Sequence, residues 1–148
     1  MMRHEVIIPV IVGNFVALVL LLVAARVASL ARYLIGVGFI STGAFNLYYA
    51  LHAPMLYVTG YGPLAIWPYD QFIYGSFARH TAAFVIAIAI GQCVAGTLVF
   101  LPGRCRRLGY AGAIVFLLAI TGLGWGSAFP ANLIMAAGVS LVYRANPA

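Results

Sequence analysis

The chain has 148 residues, of which 65% are hydrophobic and 7% charged, and its mean hydropathy is +1.07. That balance excludes a soluble globular domain and predicts a membrane protein of one domain, residues 1–148, with all-α architecture. The net charge of +6 comes from arginines at the ends of apolar runs, where they read as topology signals and lipid-phosphate contacts, so a nucleic-acid partner is excluded.

The first predicted span is Val6 to Ala25. At about 1.5 Å per residue it is long enough to cross a hydrocarbon core of about 30 Å, and it exceeds a signal-peptide core, so it is read as a retained helix. After the basic link "RVASLAR", Tyr33 to Leu51 forms the second span and His80 to Leu101 the third. Between them, 52–79 is a loop rich in tyrosine, proline and glycine. Its rings, Trp67 among them, favour the headgroup zone, and the prolines and glycines keep it from forming another buried helix.

From Leu108 to Tyr143 the chain stays apolar over about 54 Å of helical length, too much for one crossing. The break is predicted at "GLGWGSAFPAN", giving a fourth span over 108–123 and a short fifth over 131–143; four spans with a kinked last helix is the alternative. The expected fold is therefore a polytopic bundle of four to five transmembrane helices with an aromatic interfacial loop. With five spans, Arg26, Arg32, Arg104, Arg106, Arg107 and Arg144 fall on one side, and Arg3 and Arg79 on the other. The positive-inside rule then sets the turn at 102–107 in the cytoplasm, and the N-terminus and loop 52–79 outside a bacterial inner membrane.

Small residues at four-residue spacing predict helix contacts through Gly38 and Thr42, through Ala87, Gly91 and Ala95, and through Gly109 and Ala113. Asn14, Asn46 and Gln92 are the polar residues within spans. Counted from the outer helix ends, Asn46 lies roughly 8 Å deep and Gln92 roughly 20 Å deep, so the two are not expected to pair. A rim of polar residues gathers at the outer side: His4, Glu5, Tyr49, His52, Asp70, Arg79 and His80, with Trp125 and Asn132. Arg79 opens a helix, where the dipole disfavours a cation, which predicts an ion pair with Asp70 or a lipid phosphate. An imidazole titrates near about pH 6.5, so His52 and His80 could exchange protons with a quinone carbonyl; the alternative is that they anchor helix ends. The ligand set for a quinone or a lipid headgroup is then His52, Asp70, Arg79 and His80 with Asn46 and Trp67.

No catalytic residue is assigned, no intrinsic cofactor is required, and the histidine spacings specify no metal. Cys93 and Cys105 lack CxxC spacing and read as unpaired thiols.

The segment "ARYLIGVGFISTGAFNLYYAL", with Arg32, Gly36, Phe39, Gly43, Asn46 and Leu47, resembles the first conserved helix of DoxX-like membrane proteins. "IGQCVAGTLVFLPGRCRRLGYAGAIVFLLAI" is similar to the next two helices of that family, and "FPANLIMAAGVSLV" to its last short one. The resemblance departs from the family pattern at Gln92, where a glutamate is typical, and at Asn46, where a lysine is frequent; the Val6 to Ala25 helix is an addition. It implies a bacterial inner-membrane bundle linked in some relatives to quinone-coupled sulfur oxidation or to membrane redox complexes. Two functions follow as expectations: a non-catalytic accessory subunit partnered by lipids and other membrane subunits, or a quinone-linked oxidoreductase or its anchor.

Overall fold

The computed structural model describes residues 4–145. Arg3 lies outside them, and the side chains of His4 and Glu5 lie outside the description as well. Among the described residues the chain is mostly helical, without a strand: α1 (His4–Arg26), α2 (Ala28–His52), α3 (Met55–Tyr61), α4 (Tyr69–Phe72), α5 (Thr81–Leu98), α6 (Arg104–Ile120) and α7 (Ala131–Ala145). Four stretches are long and apolar enough to cross a membrane, Val6–Arg26, Ala28–His52, Thr81–Leu98 and Arg104–Ser127. This is a multi-pass, all-α membrane bundle. The fifth helix, α7, spans about 22 Å, short of the core thickness, and packs against α1 and α6.

Two spans begin earlier than hydropathy suggests. The expected link "RVASLAR" shrinks to the single non-helical Val27, and the arginines Arg104, Arg106 and Arg107 form the first turn of α6 rather than a loop. Long arginine side chains can reach the interface from a helix, so charge alone does not end one.

The most extensive contact joins α2 and α5. It closes because glycines remove the atoms that would hold the backbones apart. A Cβ on Gly43 would stand 2.6 Å from Cys93 Sγ and 2.9 Å from the Ala89 carbonyl, and one on Gly96 would stand 2.7 Å from the Gly36 carbonyl. In lipid no hydrophobic force drives helices together, so such close approach supplies the attraction. Gly109 makes the same contact between α6 and α5, 2.7 Å from Val99 N, and Ala95 and Ala113 are buried beside it. Gly38 and Gly91 have no atom within 4 Å of a built Cβ, and Thr42 and Ala87 are exposed. Those four face out of the bundle.

The antiparallel α2–α5 and α5–α6 pairs and the parallel α1–α7 pair give the molecule two unlike ends. One, the basic end, carries Arg26, Arg32, Arg104, Arg106, Arg107 and Arg144; the other, the loop end, carries 53–80 and the turn 121–130. At the loop end the aromatic segment docks onto the glycine-rich turn. Ile66 N donates to the Gly122 carbonyl (3.1 Å) and the Tyr69 hydroxyl to the Ala119 carbonyl (2.7 Å). The Tyr69 ring lies on Gly122 and the Tyr61 ring on Gly126. Gly124, at φ 61 and ψ −135, adopts a backbone that disfavours a side chain, and a Cβ there would strike the Leu64 carbonyl. The break expected at "GLGWGSAFPAN" thus serves as the seat for the tyrosine loop, whose Trp67 projects outward at 72% exposure.

Candidate functional site

Asn46 and Gln92 belong to one connected polar chain, contrary to the expectation that they lie too far apart to pair. The Tyr57 hydroxyl donates to Asn46 Oδ1 (2.8 Å), Asn46 Nδ2 donates to Gln92 Oε1 (2.6 Å), Gln92 Nε2 donates to Thr42 Oγ1 (3.3 Å), and Thr42 returns its proton to the Gly38 carbonyl (2.9 Å). The physical reasons are helix register and side-chain direction. Gly43 seats against Ala89 and Cys93, which brings Asn46 to within about one turn of Gln92 instead of the roughly 12 Å counted from the helix ends; because a helical side chain leans toward its own N-terminus, Asn46 then leans toward the basic end and Gln92 toward the loop end, closing what remains. Gln92 is only 5% exposed, so an unpaired amide there would cost about 1–3 kcal/mol.

Two further amides act apart from this chain. Asn14 Nδ2 donates to the Val10 carbonyl and, across the fold, to the Ala128 carbonyl (3.1 Å). Asn132 Nδ2 donates to the Ser127 carbonyl and hydroxyl (both 2.9 Å), fastening the start of α7 to the turn before it.

Next to Gln92 the flank of the bundle holds a cavity of about 250 Å³ lined by Phe39, Ile88, Gly91, Ala95, Val115 and Phe116 among others. It opens sideways, since Gly91 and Val115 are exposed, and the missing side chain of Gly91 widens its mouth. Its walls are apolar and suit a hydrocarbon chain.

The rim residues do not assemble in this way. His52 Nδ1 lies 2.8 Å from the Tyr48 carbonyl one turn back, and its ring stacks on Tyr48 at 4.3 Å. The Asp70 carboxylate accepts from the Gln71 backbone N–H (2.7 Å), and no ion pair joins it to Arg79. The short helix α4, which holds Asp70 in its first turn, offers a nearer backbone donor, which an aspartate accepts without ordering a long arginine side chain. His80 is exposed and engages through its backbone, receiving Phe84 N–H (3.1 Å) at the start of α5. No hydrogen bond links His52, Asp70, Arg79 and His80 to one another, and no three described His, Cys, Asp or Glu side chains gather as a metal site. Cys93 and Cys105 are free thiols.

Tyr57, outside the spans, ends the polar chain at the loop end, and the Tyr61 ring lies beside it, 6.0 Å between centres. Burial pushes the Tyr57 phenol above its ordinary value of 10.0, with Tyr61 and Tyr49 adding to the effect, and burial alone raises that of Tyr61. Below pH 10 both phenols are neutral folded or unfolded, and their contribution to stability is complete. Above it the unfolded chain ionises first, and that contribution falls until the folded values are passed. The loop end is therefore expected to gain protease sensitivity above pH 10, and Tyr61→Phe to reduce that gain; an equal gain in the variant would contradict the assignment.

Compared with known protein families, curated proteins and solved structures, the chain matches none of them. The site must be read from its own chemistry.

Proposed function

We propose that the protein is a non-catalytic accessory subunit of a larger assembly in a bacterial inner membrane, engaged in redox or energy conversion. The observation that carries this reading is the polar chain Tyr57–Asn46–Gln92–Thr42. Every member is neutral, and each is held by its neighbours, which is the pattern of helix fasteners rather than of acid–base chemistry. The outward-facing Gly38, Thr42, Ala87 and Gly91 leave shallow ground on which a partner helix can pack closely. In orientation, the six arginines of the basic end favour the cytoplasm for that end and the outer side for the tyrosine loop.

A distant DoxX-like relationship draws its support from the opposite, inward face of α2. Gly36 and Gly43 of that resemblance meet α5, and Asn46 belongs to the polar chain. A quinone-linked role draws its support from the apolar flank cavity beside Gln92. The separate settings of His52, Asp70, Arg79 and His80 favour the subunit reading over it.

The test is extraction from native membranes in mild detergent. The protein is expected to migrate with other polypeptides, and Gly91→Leu to release them while the chain itself stays folded. A well-behaved lone chain in wild-type extracts would contradict the proposal.

A further inference from the structure

At the basic end, two hydrogen-bonding groups are sealed inside the protein without a partner among the described residues: the hydroxyl of Tyr110, a residue 0% exposed, and Nε of Arg32. A buried polar group without a partner is rare, and here both can donate, so what they lack in common is an acceptor. Among the described residues the surrounding charge is of one sign. Arg106 lies one helical turn before Tyr110 on α6, and Ala31 and Ile35, on either side of Arg32 in α2, pack in one buried cluster with Tyr110. Arg106 is oriented by its Nε donating to the Leu101 carbonyl (3.2 Å), and the Arg32 guanidinium lies 5.2 Å from the Tyr33 ring centre. The only acidic side chains of the sequence are Glu5 and Asp70, on segments belonging to the opposite end. Moreover α2 and α6 both begin here with no acidic residue in the first turn, so two helix dipoles present their positive ends beside these arginines. Cations at helix N-termini are disfavoured unless an anion joins them.

We propose that Arg32, Arg106 and Tyr110 form a binding site for the phosphodiester headgroup of an anionic phospholipid. Its oxygens would accept from both arginines and, where the local packing opens to admit the headgroup, from the Tyr110 hydroxyl. A lipid rather than a free anion suits the surroundings, because exposed Leu34, Tyr33 and Leu108 flank these arginines and offer apolar surface to acyl chains. The site rests on the bundle lying in a membrane, and is independent of any partner subunit.

The experiment follows thermal unfolding of the full chain in neutral detergent with added phosphatidylglycerol, phosphatidylcholine or inorganic phosphate. Phosphatidylglycerol is expected to raise the midpoint by about 3 °C or more, phosphatidylcholine by less, and inorganic phosphate at equal concentration not at all. Arg32→Gln with Arg106→Gln should remove most of that rise, while Arg26→Gln with Arg144→Gln, at the same end, should keep it. Tyr110→Phe should unfold no earlier than wild type in detergent alone, having lost an unpartnered hydroxyl, yet respond less to phosphatidylglycerol. An unchanged response in Tyr110→Phe, an equal loss in the Arg26/Arg144 control, or equal stabilisation by inorganic phosphate would each overturn the site.

Discussion

Gly96→Ala is expected to destabilise the bundle by about 1–3 kcal/mol, although it adds a single methyl group to a helix and improves helix propensity. The new Cβ would sit 2.7 Å from the Gly36 carbonyl, 2.9 Å from Ile40 Cγ1 and 3.0 Å from Phe39 Cβ. Backbone cannot rotate away as a side-chain tip can, so α2 and α5 would have to separate along their longest seam. The propensity gain, about 1 kcal/mol at most, is the smaller effect. Gly91→Ala and Gly38→Ala are the matched controls, since a Cβ at either position meets open space. Unfolding in detergent should rank Gly96→Ala well below wild type, with both controls at or above it. Equal behaviour of the three variants would show that the glycine seam does not hold the bundle.

The second large effect is expected from Asn46→Leu. It removes the central link of the polar chain and leaves two partners stranded, Gln92 Oε1 and the Tyr57 hydroxyl. A hydrogen bond between helices in lipid is worth about 0.6–2 kcal/mol, but an amide abandoned at 5% exposure costs about 1–3 kcal/mol in addition to lost packing. The single variant should therefore lose more than the bond itself is worth. Asn46→Leu combined with Gln92→Leu should lose less than the sum of the two singles, because each single strands the other amide and the double variant strands neither. Strict additivity would mean that the two amides act separately.

The outline of the bundle was legible because hydrocarbon imposes simple demands: runs of about twenty apolar residues form helices, and a chain that stays apolar over 108–143 must turn. The turn lies at the glycines of "GLGWGSAFPAN" because Gly124 takes a positive φ and Gly122 and Gly126 receive tyrosine rings. Helix starts were less legible, since arginines in a first turn look like loop residues until their reach is considered. The contact faces were the hardest part. Small residues occur all around α5, so four-residue spacing selected Ala87 and Gly91 as readily as it selected Ala95, while the seam runs through Gly36 and Gly43 against Ala89, Cys93 and Gly96.

Within the site, the sequence singled out the right amides and misjudged their relation. Depth along a helix counts Cα positions from its ends, whereas the seat of Gly43 against Ala89 and Cys93 sets the register, and the side chains of Asn46 and Gln92 lean toward each other. The proposed pair of Asp70 and Arg79 failed for a comparable reason: a backbone N–H one residue away competes with a flexible arginine nine positions distant. Tyr110 drew no notice, being one ring in an apolar run. Its signal was its position just after the basic turn, where a hydroxyl has to find an acceptor or remain without one.

The account rests on a bundle that crosses a membrane with its tyrosine loop and its arginine end on opposite faces. The most direct measurement is labelling of intact, sided vesicles with a membrane-impermeant maleimide. It would compare the native Cys105, exposed at the arginine end, with a single cysteine introduced as Thr59→Cys in the loop, each in a background otherwise free of cysteine. One of the two thiols should react at once and the other only after the vesicles are opened. Reaction of both thiols from the same side of sealed vesicles would contradict the arrangement.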